Sequence, residues 1–345
     1  MIRNLYFFLL SGEHETLPEA ELRSVLSILD PSSKLRRVGE RVAEAETFEA
    51  VAREAVERAA YTKLSAKFLA KAESDEEKIL KAIRSIDLTQ LIGENVSTIA
   101  VRGRRVGGAK LDRMRLERRI GAEILKALPS LRVDLENPDL TIIFVSDPKL
   151  TVIGILTASK PKHFFDDRVA GRRPFSLPSA MQPDFSRAMI NLARARIGGR
   201  ILDPFAGTGG IMIEAGILGY HVYGVEIKDW IALGALKNLK HYLKGSEFIL
   251  VGDSRKLMFR EECFDAIVTD PPYGRSTTVP ERSIIQLLKE FLVEAPKYLI
   301  KGGRISISTP SQIMVEDLIE SLKLCEAHLA RVHGSLERRV AVLEA

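Results

Sequence analysis

The chain is poor in residues that staple a fold or hold a metal. Cys263 and Cys325 are its only cysteines in 345 residues, too few and too far apart for a disulfide framework, which points to a cytoplasmic chain. The six histidines form no i, i+4 pair and no cluster with cysteine, so no metal is expected. Long apolar runs are missing as well. Leu5 to Leu10 is followed at once by Ser11-Gly12-Glu13, too short for a signal segment or a membrane span, and is read as a first strand. No internal repeat or low-complexity tract occurs, which sets aside solenoids and disordered tails.

What is present describes a soluble globular protein. Hydrophobic residues make up 46% and charged residues 28%, enough for sizeable cores in two or three domains. The net charge of +5 permits an anionic partner without requiring one.

The first 50 residues read as strand, helix, strand, with Leu17-Pro18-Glu19 opening the helix because proline is tolerated in a first turn. From Thr47 the apolar spacing of Phe48, Val51, Ala55, Ala59 and Leu64 predicts a helix, and a further helix is expected from Asp75 to Ile86. Thr98 to Val101 reads as a strand. The segment 102–119 is strongly basic, with Arg102, Arg104, Arg105, Lys110, Arg113, Arg115, Arg118 and Arg119 set against Asp112 and Glu117. Gly103, Gly107 and Gly108 predict a loop for its first half, and a helix to Leu128 follows. A solvated helix face would explain these charges. A phosphate-binding patch explains better why the excess is local and starts at a glycine-rich loop. Asn137-Pro138-Asp139 reads as a turn, and the strands Leu140–Val145 and Leu150–Leu156 follow it. Residues 157–182 lack periodicity and carry Lys160, Lys162, Arg168, Arg172 and Arg173, a linker with a basic surface.

A helix is predicted from Pro183 or Asp184, and from Arg200 strands alternate with helices, as in a parallel α/β sheet closed by a C-terminal β-hairpin. The chemistry gathers at the strand ends. Asp203-Pro204-Phe205-Ala206-Gly207-Thr208-Gly209-Gly210 follows a strand and opens a helix, where glycines let backbone approach a ligand. Its leading acid disfavours a phosphate and favours an ammonium. Glu226 ends the next strand, where a carboxylate can take ribose hydroxyls, and Asp253 follows the third. As isolated residues, Glu226 is also a candidate helix cap and Asp253-Ser254 a candidate turn. Their order is what argues for a nucleoside ligand. The fourth strand runs into Asp270-Pro271-Pro272-Tyr273, an acid, a stiff turn and an aromatic ring placed to grip a planar group bearing an amine. A packed core aromatic is the other reading of Tyr273.

These motifs resemble S-adenosylmethionine-dependent amino-methyltransferases. DPFAGTGG is similar to their cofactor loop and DPPY to their catalytic motif. Over nearly the whole chain, the sequence is more specifically similar to the archaeal tRNA guanosine-10 N2-methyltransferase family. Ile99 to Arg102, ERRIGAEILKAL and VDLENPDLTIIFV make residues 51–155 resemble a THUMP domain, and the segment from Arg173 to Arg194 resembles the family's lead into the cofactor loop. The likeness implies a ferredoxin-like domain (1–50), a tRNA-binding THUMP domain (51–156), a linker (157–182) and a Rossmann-like methyltransferase domain (183–345) with a mostly parallel seven-stranded sheet. It also implies S-adenosyl-L-methionine as cofactor and tRNA as partner of a monomer, with neither membrane nor metal. Asp270, Pro271, Pro272 and Tyr273 would be catalytic. Asp203, Phe205, Ala206, Gly207, Thr208, Gly209, Glu226, Ile227, Asp253, Ser254, Ser179 and Met181 would bind the cofactor. Arg102, Arg104, Arg105, Lys110, Arg113, Lys160, Arg172 and Arg173 would meet tRNA. A guanine-N2 enzyme acting elsewhere on tRNA or rRNA, a DNA amino-methyltransferase, and an inactive tRNA-binding relative are the competing readings.

Overall fold

The computed structural model describes residues 2–88, 96–245, 247–272, 281–333 and 336–345. Along the chain its elements are β1 (Asn4–Leu10), α1 (Leu17–Leu29), β2 (Arg36–Arg37), β3 (Val42–Thr47), α2 (Glu49–Arg58), β4 (Thr62–Glu73), α3 (Glu76–Arg84), β5 (Thr98–Arg105), α4 (Arg113–Ala127), β6 (Arg132–Val133), β7 (Leu140–Ser146) and β8 (Leu150–Ser159). Then follow α5 (Pro183–Leu192), β9 (Arg200–Asp203), α6 (Gly210–Ile217), β10 (His221–Glu226), α7 (Asp229–Tyr242), β11 (Glu247–Val251), β12 (Phe264–Thr269), α8 (Glu281–Glu294), β13 (Leu299–Pro310), β14 (Lys323–His333) and β15 (Leu336–Glu344). The chain divides into two compact units. One holds Met1–Gly12, Leu29–Glu57 and Thr62–Lys160, and the other Glu13–Ile28, Arg58–Tyr61 and Pro161–Ala345.

The first unit is built on one eight-stranded sheet, ordered β2-β3-β1-β4-β8-β7-β5-β6. Strand β7 shows why it has two covered faces. Ile142 and Phe144 belong to a core with Ile79, Ile83, Leu116 and Ile120 of α3 and α4, while Ile143 and Val145 join Phe7, Leu9, Leu64 and Val152. Successive side chains on a strand point to opposite faces, so a run of apolar residues fills both cores. The helix expected to continue to Leu64 stops at Arg58, and β4 takes over from Thr62, paired with β1 and β8. The loop expected from Gly103 also starts later, since β5 continues to Arg105. A side chain at Gly103 would collide with Phe144 and Arg113, so glycine there lets α4 lie against the strand.

The second unit carries a seven-stranded sheet, ordered β11-β10-β9-β12-β13-β15-β14, with β15 antiparallel to both neighbours and the remaining pairings parallel. Central β12 is buried throughout, as a strand covered on both faces must be. Pro183 occupies the first turn of α5, whose Phe185, Ala188, Met189 and Leu192 are buried with Ile201, Ile213 and Val268. The strand order reverses between β9 and β12. Their carboxyl ends are therefore where a sheet of this kind opens to a ligand.

The linker differs from its expected form. Residues 166–172 make two short 3-10 turns; Arg168 of the first turns inward, as does Arg173 just after the second, while Arg172 stays exposed. Arg168 is buried and donates from Nε to Glu214 Oε1 at 2.7 Å, while Arg187 reaches Glu214 Oε2 at 2.7 Å. Phe164 and Phe165 lie against both guanidinium groups. Buried cations of this kind persist only because the carboxylate and the aromatic faces replace lost hydration.

Candidate active site

Four acidic residues follow one another along the carboxyl edge of the second sheet. Asp203 ends β9, Glu226 ends β10, Asp253 lies just past β11 and Asp270 just past β12. Register makes them neighbours, with Gly224 beside Asp203, Glu226 beside Val251, and Ile267 beside Leu202.

Each carboxylate has its own environment. Asp203 is 2% exposed, and its Oδ1 accepts from Thr269 Oγ1 at 2.8 Å and from the Phe205 amide at 3.2 Å. Burial, reinforced by the charges of Asp270 and Glu226 and opposed by those two hydrogen bonds, raises its pKa to about 7. Glu226 holds the glycine-rich loop after β9, accepting the Gly207 amide on Oε2 at 3.0 Å and the Lys228 amide on Oε1 at 3.0 Å. Asp253 accepts the Arg255 amide and pairs with the Arg255 guanidinium at 2.6 Å, which lowers its pKa. It is thus both the turn and the strand-end acid that the residues suggested. Asp270 Oδ2 stands 3.1 Å from Arg338 Nη1, with Pro271 buried and Pro272 exposed after it. Tyr273 lies outside the described residues.

The loop between Asp203 and α6 is a backbone cradle. Gly207 and Gly209 have φ of 50° and 78°, the left-handed region that glycine enters without strain. Among the described residues, a Cβ at Gly207 would meet only the Phe205 carbonyl oxygen, at 3.9 Å, so it faces open space among them. Ala206 and Thr208 are buried. Asn238 of α7 donates to the Thr208 and Phe175 carbonyls and accepts the Phe175 amide, which ties the loop to the segment before α5. Phe205 packs edge-on against Phe291, 5.3 Å between ring centres. Of the other positions expected to bind cofactor, Ser254 and Met181 are buried, whereas Ile227 and Ser179 are exposed.

The cations expected to meet tRNA divide into two groups. Arg104, Arg105, Lys110 and Arg172 are exposed. Arg102 donates to the Leu135 carbonyl, Arg113 pairs with Glu117 at 3.3 Å, and Lys160 donates to the Val56 carbonyl near the end of α2 at 2.6 Å. Arg173 is the clear exception. It is buried, donates to the Arg168 and Met181 carbonyls, and stands against Gly210 at the start of α6, so it organises the loop and is no surface contact. Charge near α4 is also better balanced than its own segment suggests. Arg119 pairs with Glu76 and Glu77, and Arg115 with Glu76, all across from α3.

The residue that sequence reasoning missed is Arg338. It sits near the start of β15, opposite Pro310 of β13, and an antiparallel strand begins at the edge where its parallel neighbours end. That topological fact was the available signal.

Comparison with known proteins agrees with this architecture. Residues 73–155 match the THUMP domain, and residues 170–340 match the RMKL-like methyltransferase domain. The tRNA (guanine(10)-N2)-dimethyltransferase of Methanothermobacter thermautotrophicus is 37% identical over 97% of this chain and 98% of its own. The chain belongs to the tRNA (guanine(10)-N2)-dimethyltransferase family. A member from Pyrococcus abyssi is 39% identical, over 79% of this chain and 80% of its own. The crystal structure of TrmN from Thermus thermophilus has the same fold, with a TM-score of 0.56 at 23% identity over 99% of both chains.

The site suits the cofactor of such enzymes. S-adenosylmethionine carries an ammonium, a ribose diol and an adenine amine, and the edge offers Asp203, Glu226 and Asp253 in that order beside an open glycine cradle. A phosphate-bearing dinucleotide would meet carboxylates where it needs N–H donors. Among the described residues no group of three or more metal-binding side chains comes together, and no helix is long and apolar enough to cross a membrane.

Proposed function

We propose that the chain methylates the exocyclic N2 amine of guanosine 10 in tRNA, using S-adenosylmethionine and giving N2-methyl- and then N2,N2-dimethylguanosine. The observation that carries this reading is the placement of Asp270-Pro271 beside Asp203 at the sheet's switch point, in a chain of this family.

The bound cofactor supplies an electrophilic methyl group. The chain's task is to make a poor nucleophile adequate, because the amine lone pair is conjugated with the purine ring. Asp270 Oδ1 and the Pro271 carbonyl oxygen accept the two amine hydrogens and turn the lone pair out of the ring plane. They stabilise positive charge as it grows on nitrogen, and Asp270 takes the departing proton. Two prolines in succession keep that carbonyl from reorienting. Tyr273 offers a face on which the extruded base stacks, worth about 1–3 kcal/mol in comparable settings. Asp203, Glu226 and Asp253 bind the cofactor through its ammonium, ribose and adenine. Arg104, Arg105, Lys110 and Arg172 contribute salt-dependent attraction to the RNA backbone.

The test is incubation of the protein with methyl-labelled cofactor and either tRNA or duplex DNA. Label in tRNA alone is the expected result. Label in DNA, or in neither polymer, would overturn the reading.

A further inference from the structure

We propose that Arg338 is a positioning residue of the methyl-transfer site. It binds Oδ2 of Asp270 and so sets the orientation in which that carboxylate, with the Pro271 carbonyl, receives the substrate amine. This inference rests on the role given to Asp270 above.

The guanidinium is held from two sides. Nη1 lies 3.1 Å from Asp270 Oδ2, and the group stands over the ring of Phe185, 5.7 Å from its centre. Phe185 belongs to α5 and is 5% exposed, while Arg338 itself is 8% exposed. Turning this cation away from Asp270 would give up a charge-assisted contact and an aromatic face in a place where water cannot replace them. Its neighbour shows what a purely structural arginine does on the same strand. Arg339 points to the other face and pairs with Glu316 of the short turn between β13 and β14. Arg338 is aimed instead at the acid that follows β12.

The pairing also separates two close carboxylates. Asp203 and Asp270 repel one another across the ends of β9 and β12. Asp203 is satisfied by Thr269 and the Phe205 amide, whereas Asp270 is given a cation. Among the described residues, Arg338 and Asp203 are the charged groups that these contacts place against Asp270. A cation beside one of two carboxylates that repel each other favours the charged form of that one. Arg338 therefore orients Asp270 as an acceptor, held in place by its own seat over Phe185.

The test compares wild type, Arg338→Met, Arg338→Lys, Asp270→Asn and the Arg338→Met/Asp270→Asn double variant. Measured are kcat with tRNA from pH 5 to 9, cofactor affinity by calorimetry, melting temperature, and the Asp270 carboxyl titration by carbon NMR in cofactor-free protein. Arg338→Met should lower kcat about 10- to 100-fold through misplacement of the acceptor. Its acid limb and the NMR titration should both move up by about one unit or more, since an adjacent arginine depresses a carboxyl by that order. Cofactor affinity should hold, Lys should restore part of the shift, and the double variant should match Asp270→Asn alone. An unmoved acid limb and NMR titration, or losses that add in the double variant, would overturn the positioning role and leave a structural pair. A wild-type protein that methylates no tRNA would overturn the function, and the catalytic part of this inference with it.

Discussion

Thr269 donates its hydroxyl to Asp203 across 2.8 Å, and through that one bond the last residue of β12 holds the last residue of β9. The acid that begins the glycine-rich loop is thereby fixed to the strand that delivers Asp270. Burial lifts the pKa of Asp203 to about 7, and this has a sign that experiment can read. A carboxyl whose folded pKa exceeds its unfolded one binds a proton on folding. Its contribution is complete below about pH 4 and is lost as pH rises to about 7, a change on the order of 4 kcal/mol. Chemical denaturation between pH 4 and 8 should show stability falling over this window, and Asp203→Asn should flatten the slope.

Asp270→Ala is expected to abolish turnover while leaving cofactor affinity within a few-fold of wild type, because the proposed mechanism assigns Asp270 to the amine and Asp203, Glu226 and Asp253 to the cofactor. Rapid-quench assays alongside calorimetric titration separate the two quantities. Full activity in that variant would remove the acceptor mechanism.

Asp253→Ala should weaken cofactor binding and leave the saturated rate nearly unchanged. Asp253 is already engaged by Arg255, so part of the loss reflects the turn it forms, and Arg255→Met is the control. An unchanged dissociation constant would return Asp253 to a turn residue.

Gly207→Ala places a methyl in the open cradle and forces an L-residue into left-handed backbone, a cost of about 1–2 kcal/mol. Gly209→Ala carries the same backbone strain but points its methyl at Ala235 and Leu239 at ordinary contact distance. The two variants should lose similar stability, with cofactor affinity falling much further for Gly207→Ala. Equal affinities would mean the cradle does not face the cofactor.

Reversing charge at Arg104 and Arg105 should weaken tRNA binding and flatten its dependence on salt, as the loss of phosphate contacts requires. Reversing Arg119 should instead act on stability, since its partners are Glu76 and Glu77. Filter binding across salt concentrations, with a melt for each variant, distinguishes the two.

The parallel half of the chain was the more legible in the sequence. Buried strands such as β12, glycines before α6 and the acid at each strand end are local signals, and each lies where the pattern places it. Elsewhere the information is not local. Leu64 continues the helical spacing of Phe48, Val51, Ala55 and Ala59 and reads as helix. Pairing with β1 and β8 makes it part of a strand from Thr62. Arg168 and Arg173 look like linker surface until the Glu214 carboxylate and the carbonyls that bury them are known. Arg338 is far from Asp270 in sequence and becomes its partner only because β15 runs antiparallel.

The most direct test of the central claim is nucleoside mapping by mass spectrometry of tRNA treated with the wild-type protein or with Asp270→Ala. The account predicts N2-methyl- and N2,N2-dimethylguanosine at position 10 with wild type and unmodified guanosine there with the variant. Methylation at another base or position, or the same product from Asp270→Ala, would contradict it.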